Sequence, residues 1–180
     1  RHAQTIGDAA GRMAGMINNL LVYFRLDSGK ETPSVKPFKL RSIAETLETE
    51  FATLAKNKGL NFKTESETDE IVSGDRNRII SIGGNLLSNA IKFTRSGTVT
   101  LSTGYKNGIF TLTVEDTGTG MTGEQQARIF IPFERLGNAV TEDGFGLGLA
   151  IVADTVKLLK GNITVESEPG CGSCFTVIVT

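Results

Sequence analysis

The chain has 180 residues, 39% of them apolar, and its 19 basic and 20 acidic side chains leave a net charge of -1. That is enough for one ordinary domain with its own core plus an appendage. The balanced charge argues against nucleic acid as a partner, no cationic amphipathic helix points to a membrane surface, and the apolar runs are too short to span a bilayer. The opening residues do not read as a signal peptide.

The first segment reads as a helix in which Ile6, Ala10, Met13, Ile17, Leu20 and Phe24 recur at gaps of four and three. That is a heptad seam, which needs a partner helix to bury it. Asp27, Ser28 and Gly29 end the helix, and a connector with Pro33 and Pro37 follows. "PFKLRSIAETLETEFATLAKNKG" reads as an amphipathic helix with Leu40, Ile43, Leu47, Phe51 and Leu54 on its apolar side and Gly59 as its stop. "LNFKTES" and "EIVSG" read as short strands, and a helix is expected from about Asp75 to Thr94. "GTVTLSTGYKNGIFTLTVED" reads as a β-hairpin turning at Lys106, Asn107 and Gly108. A long polar stretch runs from Thr117 to Asp143, and a helix is expected from about Gly146 to Leu159. "GNITVESEPGCGSCFTVIVT" closes as a second hairpin. Mixed strands and helices with hairpin connections predict an α+β fold, a two-layer α/β sandwich with helices on one face of a mixed sheet. Cys171 and Cys174 precede a strand and not a helix, so a turn is the better reading than a redox dithiol.

Three motifs carry candidate chemistry. On a wheel of the helix containing "NLLSNAIKFT", Asn85, Asn89 and Lys92 share one side, with Arg78, Ser81 and Ser88 beside them. Ile79, Ile80, Ile82, Leu86, Leu87, Ala90, Ile91 and Phe93 fill the remaining arc. The stripe is either solvated or a Mg²⁺-phosphate site. Asparagine is a weaker helix former than Glu, Lys or Gln, whereas carboxamide oxygens suit Mg²⁺ and a lysine can pair with phosphate. In "FTLTVEDTGTGM", Asp116 shares strand parity with Phe110, Leu112 and Val114. It is either the start of a surface turn or an inward carboxylate needing a donor, such as the exocyclic amine of a ligand. Gly118 and Gly120 would let the chain approach that ligand. In "GFGLGLAI", Gly144, Gly146 and Gly148 lead into a helix, as packing glycines or as an anion site. Phe130 and Phe133 are apolar islands in the polar stretch before it, where they could anchor a lid, and Arg135 could meet a phosphate.

Taken in this order, the motifs resemble the catalytic ATP-binding region of sensor histidine kinases, within the superfamily shared with gyrase, Hsp90 and MutL. "NLLSNAIKFT" is similar to the family's N box, "DTGTGM" to its first glycine box, "IFIPFERL" to its F box and "GFGLGLAI" to its second glycine box. The opening "GRMAGMINNLLVYFRLDSGK" resembles the second helix of the family's dimerisation hairpin. The resemblance implies a Bergerat-type ATP-binding sandwich over residues 36–180, preceded by one long helix and a linker over residues 1–35.

It also implies roles. ATP and Mg²⁺ are the expected cofactors. Asn85, Asn89 and Lys92 would form the catalytic set, with Asn89 on Mg²⁺, Asn85 close by and Lys92 on a phosphate. Asp116 would accept a hydrogen bond from the adenine amino group, Phe93 would line the pocket, and Gly118 and Gly120 would shape its floor. Gly144, Gly146 and Gly148 would hinge the lid and cradle phosphate. Phe130 and Phe133 would control the lid, with Arg135 on phosphate. Met121 and Leu147, within the two glycine boxes, join the nucleotide-binding set. The implied activity is ATP-dependent protein-histidine kinase, with transfer to a histidine on a dimerisation hairpin and relay to a response regulator receiver domain. A homodimer through the N-terminal helix is expected, in the cytoplasmic portion of a membrane-bound sensor. Hydrolysing relatives usually carry Glu where Asn85 stands. A neutral imidazole acceptor already offers a lone pair and needs no such base. The alternative is a degenerate nucleotide-binding or dimerisation module, or a slow ATPase. Gly83 and Gly84 favour it, because each costs a helix about 1 kcal/mol relative to Ala, as does the lack of Lys or Arg between Arg135 and Gly144.

His2 is the sole histidine. The family's acceptor is followed by an acidic residue and, several positions later, a proline. His2 is followed by Ala3, Gln4 and Thr5, with no proline before Pro33. It reads as a bystander in a fragment that lacks its own phosphoacceptor, so the chain alone is expected to bind ATP without labelling itself.

Overall fold

The structure is a computed structural model. It describes the backbone of residues 2–66, 69–134 and 146–180, and within the first helix the side chains of residues 10, 11 and 13 onward. The helix α1 spans His2–Asp27, and Gly29, with φ 64°, follows its end. Met13, Met16, Ile17, Leu21 and Phe24 lie exposed along it, so most of the expected seam is open, while another side of α1 packs on α5 (Gly148–Leu158).

Five strands form the main sheet: β2 (Asn61–Ser66), β4 (Thr98–Lys106), β5 (Ile109–Asp116), β6 (Asn162–Glu168) and β7 (Gly172–Val179). Their order is β2-β4-β5-β7-β6; β2 runs parallel to β4 and the other pairs are antiparallel, so the sheet is mixed as expected. The β4–β5 turn places Asn107 at φ 54° and Gly108 at φ 81°, the two positive angles a tight hairpin requires. A small second sheet pairs β1 (Lys36–Lys39) with β3 (Ile71–Gly74). The apolar spacing predicts residues 37–40 in the following helix, but Pro37 suits a short edge strand, and α2 starts only at Arg41.

Alternation decides which sheet face is covered. Val99, Leu101, Phe110, Leu112, Val114, Phe175 and Val177 are buried on one face. Helices α2 (Arg41–Asn57), α3 (Arg76–Phe93) and α5 lie over that face, with α3 in the middle and against β5. Helix α2 contributes Ile43, Ala44, Leu47, Phe51 and Ala55 to the core. Leu54, expected on that side, is 53% exposed. It falls on the rim of the buried arc in the last turn, and Ala55 takes the core position.

Gly83 explains how α3 comes so close to its neighbours. A Cβ there would lie 2.5 Å from Leu47 Cδ1 and 3.3 Å from Leu112 Cδ1. The glycine that weakens the helix locally therefore permits the contact that seats α3 between α2 and β5. The connector is tied to the same helix. Asp75 caps the start of α3 by accepting Arg78 N–H at 3.2 Å, and its other carboxylate oxygen accepts Ser34 N–H at 2.8 Å. Arg78 also pairs with Asp75, at 3.3 Å, and with Glu31. At the other end of α3, Lys58 Nζ donates to the carbonyls of Ile91 and Lys92 at 2.6 and 2.7 Å, a favourable partner for a helix C-terminus.

Candidate nucleotide site

Asp116 ends β5 on the core-facing parity and is only 6% exposed. Its Oδ1 accepts Gly118 N–H at 2.8 Å, and the Thr94 hydroxyl oxygen lies 3.5 Å away. Burial raises its pKa above the ordinary value, while the Gly118 and Ser173 N–H groups and the Thr94 hydroxyl pull it back down. An inward carboxylate held only by neutral donors keeps lone pairs for a further donor. Thr94 is itself fixed by donating to Ala90 O at 2.7 Å.

The glycines around Asp116 are required by contact. A Cβ on Gly118 would lie 2.6 Å from Phe93 O, and one on Gly120 (φ 61°) would lie 1.8 Å from Glu168 O. Thr119 N–H donates to Phe93 O at 3.3 Å. The glycine turn is thus bound to the C-terminal end of α3 on one side and to the β6–β7 neck on the other. Past the turn, Thr122 and Gln125 form a reciprocal capping box that starts the short α4 (Gly123–Gln126).

Further back along α3, the polar stripe meets the start of α5. A Cβ on Gly148 would lie 3.1 Å from Asn85 Oδ1, and Asn85 Nδ2 donates to Ser81 O at 2.9 Å. Asn89 is half-buried one turn on and its side chain has no hydrogen-bond partner among the described residues, so its carboxamide is available to a ligand or a hard cation. Lys92 sits 4.8 Å from the centroid of the Phe93 ring. Phe93 itself is 41% exposed, at the end of α3 and outside the core.

The F-box residues divide. Ile129 is buried and Phe130 is half-buried against the core, whereas Phe133 is 56% exposed and has φ 64°. Phe133 N–H donates to Gly146 O at 2.9 Å, and its ring meets Tyr23 of α1 edge-on with centroids 6.3 Å apart. Gly146 also has positive φ (69°), and a Cβ there would lie 2.6 Å from Glu134 O. Leu147 is fully buried at the start of α5, and Met121 uses its backbone N–H to reach Ser167. Arg135 and Gly144 lie outside the described residues, as do the side chains of His2 and Ile6.

Along α3, then, one helix carries both halves of the site. Its C-terminal turn meets Asp116 and the first glycine turn, and its middle meets the second. Sequence reasoning missed Thr94, Gln126, Ser167 and Ser173. Thr94 was findable as the hydroxyl directly after the helix; the others needed the strand order. The cysteine expectation holds, with Cys171 exposed at a turn between Gly170 and Gly172, Cys174 in β7, and both thiols free.

This fold and site define an ATP-binding α/β sandwich. Residues 74–180 match the family described as histidine kinase-, DNA gyrase B- and HSP90-like ATPase, and the chain belongs to that family. It is 31% identical to the sensor histidine kinase RcsC of Escherichia coli (strain K12) over 98% of this chain and 19% of that protein. It is 35% identical to the circadian input-output histidine kinase CikA of Synechococcus elongatus over 98% of this chain and 24% of that protein. The chain therefore spans a quarter or less of these two relatives. The crystal structure of full-length ShkA in complex with AMPPNP superposes with a TM-score of 0.88 at 26% identity, covering 99% of this chain and 38% of that one.

Proposed function

We propose that the chain is the ATP-binding catalytic region of a sensor histidine kinase, donating the γ-phosphoryl group of ATP to a histidine on a dimerisation hairpin for relay to a response regulator receiver domain. The observation that carries this reading is Asp116, a carboxylate enclosed on the apolar side of a strand with donors on two sides and acceptor capacity to spare. In this reading it accepts the adenine amine. Phe93 and Met121 flank the base, and the turn at Gly118 and Gly120 forms the floor. Asn85 and Lys92 face the phosphates beside the α5 N-terminus, where Gly146, Leu147 and Gly148 bring backbone close to them. Phe130, Phe133, Arg135 and Gly144 belong to the lid.

The carboxamides fit Mg²⁺, with Asn89 as its protein ligand, because the Asn89 side chain has no hydrogen-bond partner among the described residues while Asn85 is held by Ser81 O. When bound, the ion would neutralise charge on the phosphate oxygens. The chain's own residues bind and orient the nucleotide. Asn85 supplies no carboxylate to activate water, which favours transfer to an imidazole over hydrolysis.

Residues 1–35 are the second helix of the hairpin plus linker, and residues 36–180 the catalytic domain. The open stripe of Met13, Ile17, Leu21 and Phe24 supports burial against hairpin helices of a homodimer. In this reading the chain belongs to the cytoplasmic part of a membrane-bound sensor. No described helix is long and apolar enough to cross a membrane.

Calorimetry tests the site. Asp116→Ala should weaken ATP binding about tenfold or more, the scale of a lost charge-assisted hydrogen bond. Asn89→Ala should weaken binding similarly with Mg²⁺ and little when Mg²⁺ is chelated. Unchanged affinity in both variants would overturn the assignment.

A further inference from the structure

Ser167 lies on β6, on the core-facing parity with Ile163 and Val165. Its hydroxyl accepts Met121 N–H at 2.9 Å and donates to Gly172 O at 2.7 Å. The Ser173 hydroxyl lies 2.9 Å away. A serine hydroxyl has one proton and two acceptor positions. With its proton on Gly172 O, it must accept from Ser173, and its set is then complete. The Ser167 carbonyl accepts Gln126 Nε2 at 2.8 Å, and the same amide reaches Met121 O at 3.2 Å.

The segments meeting at this hydroxyl are those that hold Asp116. Met121 closes the turn whose Gly118 N–H donates to the carboxylate. Ser173 pairs with Asp116 across the β5–β7 ladder and supplies the other backbone N–H. These backbones also touch independently of Ser167. A Cβ on Gly172 would lie 1.9 Å from Asp116 O, and Gly170 N–H donates to Thr119 O at 2.8 Å. Contact of this kind leaves no slack, so displacement of the β6–β7 neck displaces the donors around Asp116.

We infer that Ser167 is a positioning residue of the nucleotide site, fixing the glycine turn and the start of β7 so that Asp116 is presented to the exocyclic amine of the base. The inference rests on the ATP reading above. The test measures, on the full chain, the ratio of affinities for ATP and for purine riboside triphosphate, which lacks that amine. Wild type should prefer ATP by about tenfold or more. Ser167→Ala should cut the preference several-fold, and Ser167→Thr, which keeps the hydroxyl, should restore it. Ser173→Ala, a milder change that removes one donor to Ser167, should lower the ratio in the same direction and serves where Ser167→Ala does not fold. Equal weakening toward both nucleotides would mark Ser167 as merely structural and overturn the inference. A wild-type protein without preference would overturn the role of Asp116, and the inference with it.

Discussion

Replacing Gly83 and Gly84 by alanine, one at a time, should move stability in opposite directions. Helix propensity favours Ala by about 1 kcal/mol at either position. At Gly84 the new Cβ would meet the Phe51 ring at 3.7 Å, an ordinary contact, so the gain of about 0.5–1 kcal/mol is kept. At Gly83 it would lie 2.5 Å from Leu47 Cδ1, with Leu112 Cδ1 at 3.3 Å and Leu47 Cδ2 at 3.4 Å. Leu47 and Leu112 are fully buried, so the methyl cannot swing into solvent. Overpacking a filled core costs about 1–3 kcal/mol, which outweighs the propensity gain and leaves a net loss of about 1 kcal/mol. The two variants should differ by roughly 2 kcal/mol, or about 4–8 °C in Tm for a domain of this size. Urea unfolding with unchanged m-values measures this directly. Equal stabilisation by both alanines would refute the argument that α3 is seated by close contact at Gly83.

Asp116 carries a pH dependence of definite sign. Burial raises its folded pKa above the ordinary 3.8, so its ionised form costs native stability above the folded pKa. That cost fades as pH falls from the folded pKa toward 3.8, whereas affinity for the adenine amine falls over the same window because the acceptor loses its charge. ATP titrations from neutral pH downward should show this acid-side loss in wild type and lack it in Asp116→Asn; the same loss in both would dismiss Asp116 as its source. At the other end of α3, Asp75→Ala should cost about 2 kcal/mol, combining a lost N-cap with lost charge-assisted bonds. Hydrogen exchange should show reduced protection of the Ser34 amide, and unaltered protection would mean the connector is held by something else.

Much of this was legible in the sequence because it follows from periodicity. Asp116 shares parity with Phe110, Leu112 and Val114, and that alone turns it inward. The Asn85–Asn89–Lys92 stripe follows from the helical repeat, and the Asn107–Gly108 turn from residues that tolerate positive φ. Contacts between segments distant in the chain were not legible. Gly83 looked like a flaw until Leu47 stood against it. Ser167 is one polar residue in an alternating strand, and its role exists only because β7 lies between β5 and β6. Pro37 hid a short edge strand inside what reads as a helix start, and Leu54 shows that the wheel alone does not fix a buried arc at a helix end.

Phosphoryl transfer is the step beyond nucleotide binding. It is tested most directly by mixing the chain with γ-labelled ATP, Mg²⁺ and a dimerisation hairpin bearing an acceptor histidine. Acid-labile, base-stable label is expected on the hairpin histidine, lost in Asn89→Ala and in Asp116→Ala, with none on His2 of this chain. A chain that binds ATP yet leaves the hairpin unlabelled, or that labels His2 in a manner abolished by His2→Ala, would contradict it.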